Sequence, residues 1–229
     1  KWVAWTIANL TILRNNETLI IPVTRAKITI EFVESKRLDN GDYYIKVSTF
    51  GRGVAQAFHD AVKKMAAEWQ QRKVILDLRN NPGGSLDEVS EMLNLFVPKD
   101  ASVVQIRMKN YITDTASLWD TLYNFSGGRL IVLINEWSAS AAEIMAGTIK
   151  DYIPDTVLLG QKSYGKWSVQ TLEEYVDGSS IKYTIAKWFT GKTKTGIDKI
   201  GIKPDVEVKL DEALFKQWID SQLEAAKKY

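Results

Sequence analysis

Two stretches of the chain share one grammar. KVILDLRNNPGGSLDEVSEML and LIVLINEWSASAAEIMAG each begin as a short apolar strand. Each then passes a turn of Asn, Gly, Pro or Ser and enters a run with helical spacing of apolar residues. Such alternation buries both elements against each other and predicts an α/β layered domain. Ser85 is placed to cap the first of these helices. Other runs fit the same plan. Val54, Phe58, Val62, Met65 and Ala66 fall on one helical face, SVVQIRM and TVLLG read as strands, and SVQTLEEY pairs naturally with SIKYTIAKWF as antiparallel strands. Near the start, TIANLTILR, TLIIPVT and KITIEFVE read as short strands, and Asn40-Gly41 marks a hairpin turn. The end, DEALFKQWIDSQLEAAKKY, reads as one amphipathic helix. Residues 110–128 are the least patterned; their aromatics (Tyr111, Trp119, Tyr123, Phe125) suit a loop packed over the core or a groove lining.

Composition removes several function classes. With 45% apolar residues among 229, the chain can bury a large core. Thirty Lys and Arg against 28 Asp and Glu leave no basic footprint for nucleic acid. The absence of cysteine excludes disulfides, thiolate metal sites and a cysteine nucleophile. No metal or cofactor is expected. KWVAWTIANL carries no cleavable signal and begins as if in mid-domain, and no apolar run has membrane-spanning length.

The turn INEWSAS places Ser138 and Ser140 just before a helix, whose first N–H groups are unpaired and carry partial positive charge. A serine there lies beside donors able to hold an oxyanion. The same residues also fit a capping box, since Glu143 follows Ser140 by three positions. Both readings stand on this stretch alone. A nucleophilic serine needs a base, and the only histidine, His59, lies on an amphipathic helix and reads as an edge-of-core residue. A Ser-His-Asp triad is therefore not expected. Lysine can replace histidine where burial or neighbours favour its neutral amine. Lys166, in GQKSYGKWSVQ, sits in a loop bracketed by Gly160 and Gly165, with Gln170 four residues on to hold an amine by its amide oxygen; Lys162 competes with it, and a solvated loop lysine is the plainer reading. NPGG, ending at Gly84, adds a turn whose backbone can approach a ligand.

Taken in order, the blocks TRAKI (24–28), YIKVSTF (44–50), VILDLRNNPGG (74–84), VLINEWSASAAEIMAG (132–147), GQKSYGKWSVQ (160–170) and GIKPDVEV (201–208) resemble the C-terminal-processing, or tail-specific, serine protease family. The resemblance runs from about Thr6 onward. It implies a crotonase-like (ClpP/crotonase-type) α/β layered core with added antiparallel strands. It implies a Ser-Lys dyad with Ser140, not Ser138, as nucleophile, Lys166 as general base and Gln170 in support. Gly84, in preference to Gly83, and Ala141 are the implied oxyanion donors. Residues 1–22 would be the C-terminal remnant of a PDZ-like domain with its connecting strand, and residues 23–229 the protease core. The implied activity is endopeptidase cleavage of polypeptides near accessible, nonpolar C-terminal tails. The implied location is periplasmic or extracytoplasmic, with membrane association of the full-length protein.

The chain departs from the family at tryptophans. Trp137 and Trp167 stand where the motifs usually carry glycine, and Trp2 and Trp5 stand where a G-x-x-G is common. Backbone strain or a filled pocket beside the dyad is expected from the first two, hence impaired turnover, or an inactive peptide-binding scaffold of the same fold. Two explanations compete: natural divergence, with the indoles lining the substrate groove, and a source that reads UGA as glycine translated under a code that reads it as tryptophan. Sequencing codons 2, 5, 137 and 167 separates them: UGG at all four positions removes the coding explanation.

Overall fold

The computed structural model describes residues 3–28, 31–68, 73–119, 130–153 and 155–229. The chain divides between Glu31 and Phe32 into two compact units. In the first, β1 (Ile7–Arg14) and β2 (Glu17–Thr24) form an antiparallel hairpin. Asn15 and Asn16 join them, both at positive φ (53° and 63°), the conformation a two-residue turn needs to match strand twist. Trp5 precedes this hairpin at φ 69°, a left-handed conformation that a bulky side chain rarely takes.

The second unit holds β3 (Val33–Arg37), β4 (Tyr43–Val47), α1 (Val54–Glu68), β5 (Val74–Asp77), α2 (Leu86–Leu93), β6 (Ser102–Met108), β7 (Ile112–Ala116), β8 (Leu130–Ile134), α3 (Ala141–Tyr152), β9 (Val157–Gly160), β10 (Ser168–Glu174), β11 (Ser180–Thr190), β12 (Val206–Glu207), α4 (Glu212–Phe215) and α5 (Ser221–Lys228). Six strands make one sheet in the order β12-β9-β8-β5-β4-β3, parallel except for the β3/β4 pair. Its central strands β5 and β8 are buried throughout because both faces are covered there. Leu130, Val132 and Ile134 of β8 join the larger core with α1, α2 and α3, whereas Ile131 and Leu133 join a smaller core with Ala226 of α5. The second sheet, β10-β11-β6-β7, is antiparallel. Ser85 caps α2 as expected, its hydroxyl accepting from the N–H groups of Asp87 and Glu88.

Three expectations need correction. The strand read through KITIEFVE begins only at Val33; residues 25–28 form no strand, and Thr29 and Ile30 lie outside the described residues. The unpatterned 110–128 region contributes β7, paired to β6, while Tyr123 and Phe125 lie outside the described residues. The C-terminal helix is broken in two. Trp218 sits between α4 and α5 at φ 64° with its indole 96% exposed, and Asp220 starts α5 by accepting from the N–H groups of Gln222 and Leu223. The capping residue has a partner that lies far away in sequence. Asp220 also takes two hydrogen bonds from Arg79 (2.8 and 2.7 Å), whose guanidinium binds Asp77 as well (2.9 and 2.6 Å).

Asp77 is fully buried and accepts from Tyr44 too (2.7 Å). Burial pushes the Tyr44 hydroxyl upward, and the Asp77 charge pushes it further. Burial alone would raise Asp220 likewise, but the Arg79 hydrogen bonds and charge outweigh it and hold its carboxyl below the ordinary range. A carboxyl lowered in this way contributes stability above its unfolded pKa, about 3.9, and loses it as pH falls through the folded value. Arg79→Met leaves Asp77 buried without its counter-charge. Urea denaturation at neutral pH is expected to show a loss of about 3–5 kcal/mol. The acid-side fall in stability due to Asp220 should be present in the parent and diminished in the variant.

Candidate active site

Residues 135–140 carry the chain from the end of β8 into α3, and two neighbouring loops hold them. Asn81, fully buried, accepts from the N–H of Ala139 through its carbonyl (2.9 Å) and from that of Gly83 through its side chain (2.9 Å). Asn135 and Asn80 exchange hydrogen bonds of 2.9 Å between the same two loops. Ser138 is a strut in this turn. It is fully buried, its hydroxyl donates to the Leu78 carbonyl (2.8 Å) and accepts from the Asn135 N–H (2.9 Å), and its carbonyl accepts from the Tyr164 N–H (3.0 Å).

Ser140 differs. Its backbone lies at φ 55°, ψ −115°, outside the regions open to L-residues without strain, and such a conformation costs about 1–3 kcal/mol. The S-x-x-E pattern forms a capping box, in which the Glu143 carboxylate accepts from the Ser140 N–H at 2.8 Å. Glu143 is fully buried and reaches further, accepting from the Ser163 hydroxyl (2.5 Å), the Gly165 N–H (2.6 Å) and the Lys166 N–H (2.9 Å). One carboxylate thus joins the Ser140 turn to the Lys166 loop. The carbonyl of Lys166 accepts from the Trp188 indole (3.0 Å), so its backbone is held on both sides.

Ser140, Lys166, Gln170 and Gly84 line one cleft of about 560 Å³, together with Gly83 and Thr49 among others. No hydrogen bond joins the side chains of Ser140, Lys166 and Gln170 among the described residues, and Lys162 does not line the cleft. A register shift in the β10/β11 pairing at Val169/Gln170 falls where Gln170 enters the cleft, as bulges often re-aim a side chain beside a site. The two glycines have separate tasks. Gly83 lies at φ 98°, and a Cβ there would come within 2.7–2.9 Å of Ala139, Ser140 and Ala141. Its N–H is taken by Asn81, and its carbonyl accepts from Thr49 (2.8 Å) and Phe50 (3.0 Å). The N–H groups of Gly84 and Ala141 donate to no protein acceptor among the described residues, which leaves both for a ligand oxygen. Sequence reasoning took Glu143 only as half of a cap; nothing in its spacing announced the link to Ser163, Gly165 and Lys166.

The positive-φ strain expected from two tryptophans is absent, although the Trp167 indole N–H is buried without a hydrogen-bond partner among the described residues. Neither Trp137 nor Trp167 has positive φ. Trp137 is 61% exposed in the turn, its N–H donating to the Asn135 side chain (3.2 Å), so its indole meets solvent without displacing backbone. Trp167 packs edge-on against Phe189 (4.9 Å between ring centres), with the Lys187 ammonium 4.4 Å over its ring. His59 stands apart, edge-on to Trp119 at 5.8 Å and outside the cleft lining. No group of three or more His, Asp or Glu among the described residues is arranged to hold a metal ion, and none of their helices is long and apolar enough to cross a membrane.

The description of Peptidase family S41 matches residues 43–208. A probable CtpA-like serine protease of Staphylococcus aureus is 37% identical over 203 residues, and one from Staphylococcus haemolyticus is 36% identical; each alignment covers 89% of this chain. The chain spans about 40% of the length of these relatives. Among solved structures, the photosystem II D1 C-terminal processing protease superposes with a TM-score of 0.68 at 24% identity, covering 98% of this chain and 60% of that one. A putative S41 protease from Bacteroides fragilis gives 0.70 at 15%, covering 96% and 64%. The shared fold is the mixed α/β arrangement described above.

Replacing Glu143 by Gln sets an amide NH₂ against backbone donors and leaves at least one of them unpaired. The expected cost is roughly 1–3 kcal/mol in urea denaturation. Amide exchange at Gly165 and Lys166 should accelerate more than exchange in β5 or β8.

Proposed function

The chain belongs to peptidase family S41, and on that premise we propose that it is the core of a serine endopeptidase of the C-terminal-processing type. Ser140 is the nucleophile and Lys166 the general base. The observation that carries this reading is the conformation of Ser140: a strained serine in one cleft with a lysine, beside two free N–H groups. Strain held at one residue is characteristic of positions that serve chemistry.

In this reading the neutral Lys166 amine takes the Ser140 proton as Oγ attacks the scissile carbonyl carbon. The N–H groups of Gly84 and Ala141 hold the resulting oxyanion, helped by the positive end of the α3 dipole. The Lys166 ammonium then protonates the leaving amine, the C–N bond breaks, and an acyl-Ser140 ester remains. Lys166 next removes a proton from water, whose oxygen attacks the ester, and that proton returns to Ser140 Oγ as the product acid leaves. Gln170, on the same cleft wall, orients the amine through its amide oxygen.

The substrates are polypeptides cut near nonpolar C-terminal tails, in an extracytoplasmic compartment, and the layered core is of the crotonase-like kind. Residues 1–22 are read as the remnant of a PDZ-like domain. Because Trp137 and Trp167 lie at ordinary φ, a competent site is favoured over an inactive scaffold.

Hydrolysis of an unfolded protein is the test. Ser140→Ala and Lys166→Met are each expected to reduce turnover on the order of a thousandfold or more. His59→Gln should stay within about twofold of the parent, since His59 lies outside the cleft. A parent chain that binds unfolded protein without cutting it would favour the scaffold.

A further inference from the structure

The charge of the cleft is one-sided. Its lining includes two charged side chains, Lys166 and Lys182, and no carboxylate. Lys166 serves the proposed chemistry, which leaves Lys182 as the lining lysine that the mechanism does not use. Lys182 lies on β11 opposite Leu172 of β10, with Thr184 opposite Gln170. It is exposed, and among the described residues its side chain forms no hydrogen bond and no ion pair. The nearby acids do not neutralise it. Glu173 pairs with Ile181 and so points to the opposite face of the hairpin, where Tyr183 reaches it (3.4 Å). Glu174 shares the face of Lys182 on the diagonal, yet forms no ion pair with it and does not line the cleft.

We infer that Lys182 is a specificity-determining residue that binds a carboxylate of the substrate. The inference rests on the peptidase reading for the identity of the ligand as a polypeptide. Lysine suits the role because its long apolar stem can lie along the cleft wall while the ammonium stays free to meet an anion. Position sets the register. Lys182 lies two strand positions beyond the Gln170 pairing, about 7 Å along the sheet. An extended substrate rises by about the same 3.3 Å per residue, which puts the carboxylate about two to four residues from the scissile bond. Two sources share this chemistry: the terminal carboxylate of a tail and an Asp or Glu side chain.

The test measures binding, so it does not depend on turnover. Fluorescein-labelled peptides rich in alanine and valine are titrated into the Ser140→Ala protein. One ends in a free carboxylate, one in an amide, and an amidated series carries a single Glu at successive positions. The free-acid peptide or one member of the Glu series is expected to bind roughly threefold to fivefold tighter than the neutral amide at low salt. The difference should fade at high salt. It should vanish with Lys182→Gln and reverse with Lys182→Glu, both made in the Ser140→Ala protein. A preference confined to the free acid assigns the terminal carboxylate; one confined to the Glu series assigns a side chain. Equal affinity for all peptides, absence of binding, or a preference that survives Lys182→Gln overturns the inference. Failure of the Lys166 and Ser140 variants to alter hydrolysis would instead overturn the peptidase reading, and the two failures are read in separate measurements.

Discussion

The Glu143 carboxylate is the interaction on which the rest of the site depends. It is fully buried, and an unpaired carboxylate there would cost several kcal/mol in lost hydration. Four donors offset that cost: the N–H groups of Ser140, Gly165 and Lys166 and the hydroxyl of Ser163. The first turn of α3 adds a favourable field. Because those donors come from two loops, satisfying the charge fixes the loops against each other. Serine and lysine are thus brought to one cleft by a group that touches neither reactive atom.

Ser140 can be held under strain because its flanks have little freedom. On one side β8 is fully buried between β5 and β9, and on the other Ala141, Ala142 and Ile144 are sealed into the core. Ser138 and Asn81 tie the turn between them to the β5 loop. Gly83 completes the arrangement by letting its backbone come close to Ser140 where any Cβ would collide. On the opposite face of the sheet, the Asp77–Arg79–Asp220 network fastens α5 over the smaller core. Arg79 and Glu143 each reach partners far along the sequence, which makes them effective clamps and hard to foresee.

The tryptophans divide by conformation rather than by motif. Trp137 and Trp167, at motif positions, adopt ordinary backbone geometry; Trp5 and Trp218 occupy left-handed positions that suit glycine. Sequence comparison drew attention to Trp5, Trp137 and Trp167, but only dihedral angles separate Trp5 from the other two and single out Trp218. A glycine at a motif position need not be there for its φ. The turn at Trp137 lies at the surface, and the indole points into space that a smaller residue would leave to water.

Much of the fold was legible in the sequence because local rules act locally. The strand–turn–helix repeats, the Ser85 cap, the Asn40-Gly41 turn and the β10/β11 hairpin follow from periodicity and turn chemistry within a few residues. The choice of Ser140 and Lys166 came from ordered motif blocks, and spacing alone had left the cap and solvated-lysine readings open. What the tertiary structure decided was long-range. It joined Asp220, at the break in the C-terminal helix, to Arg79, 141 positions away. It brought Gly83 against Ala139, Ser140 and Ala141, where a Cβ would collide. It made Glu143 the joint of the site and turned Lys182 toward the cleft. Periodicity tells which face of an element is buried; it does not tell which distant group a buried charge will meet, because that partner is chosen by the packing of the whole chain.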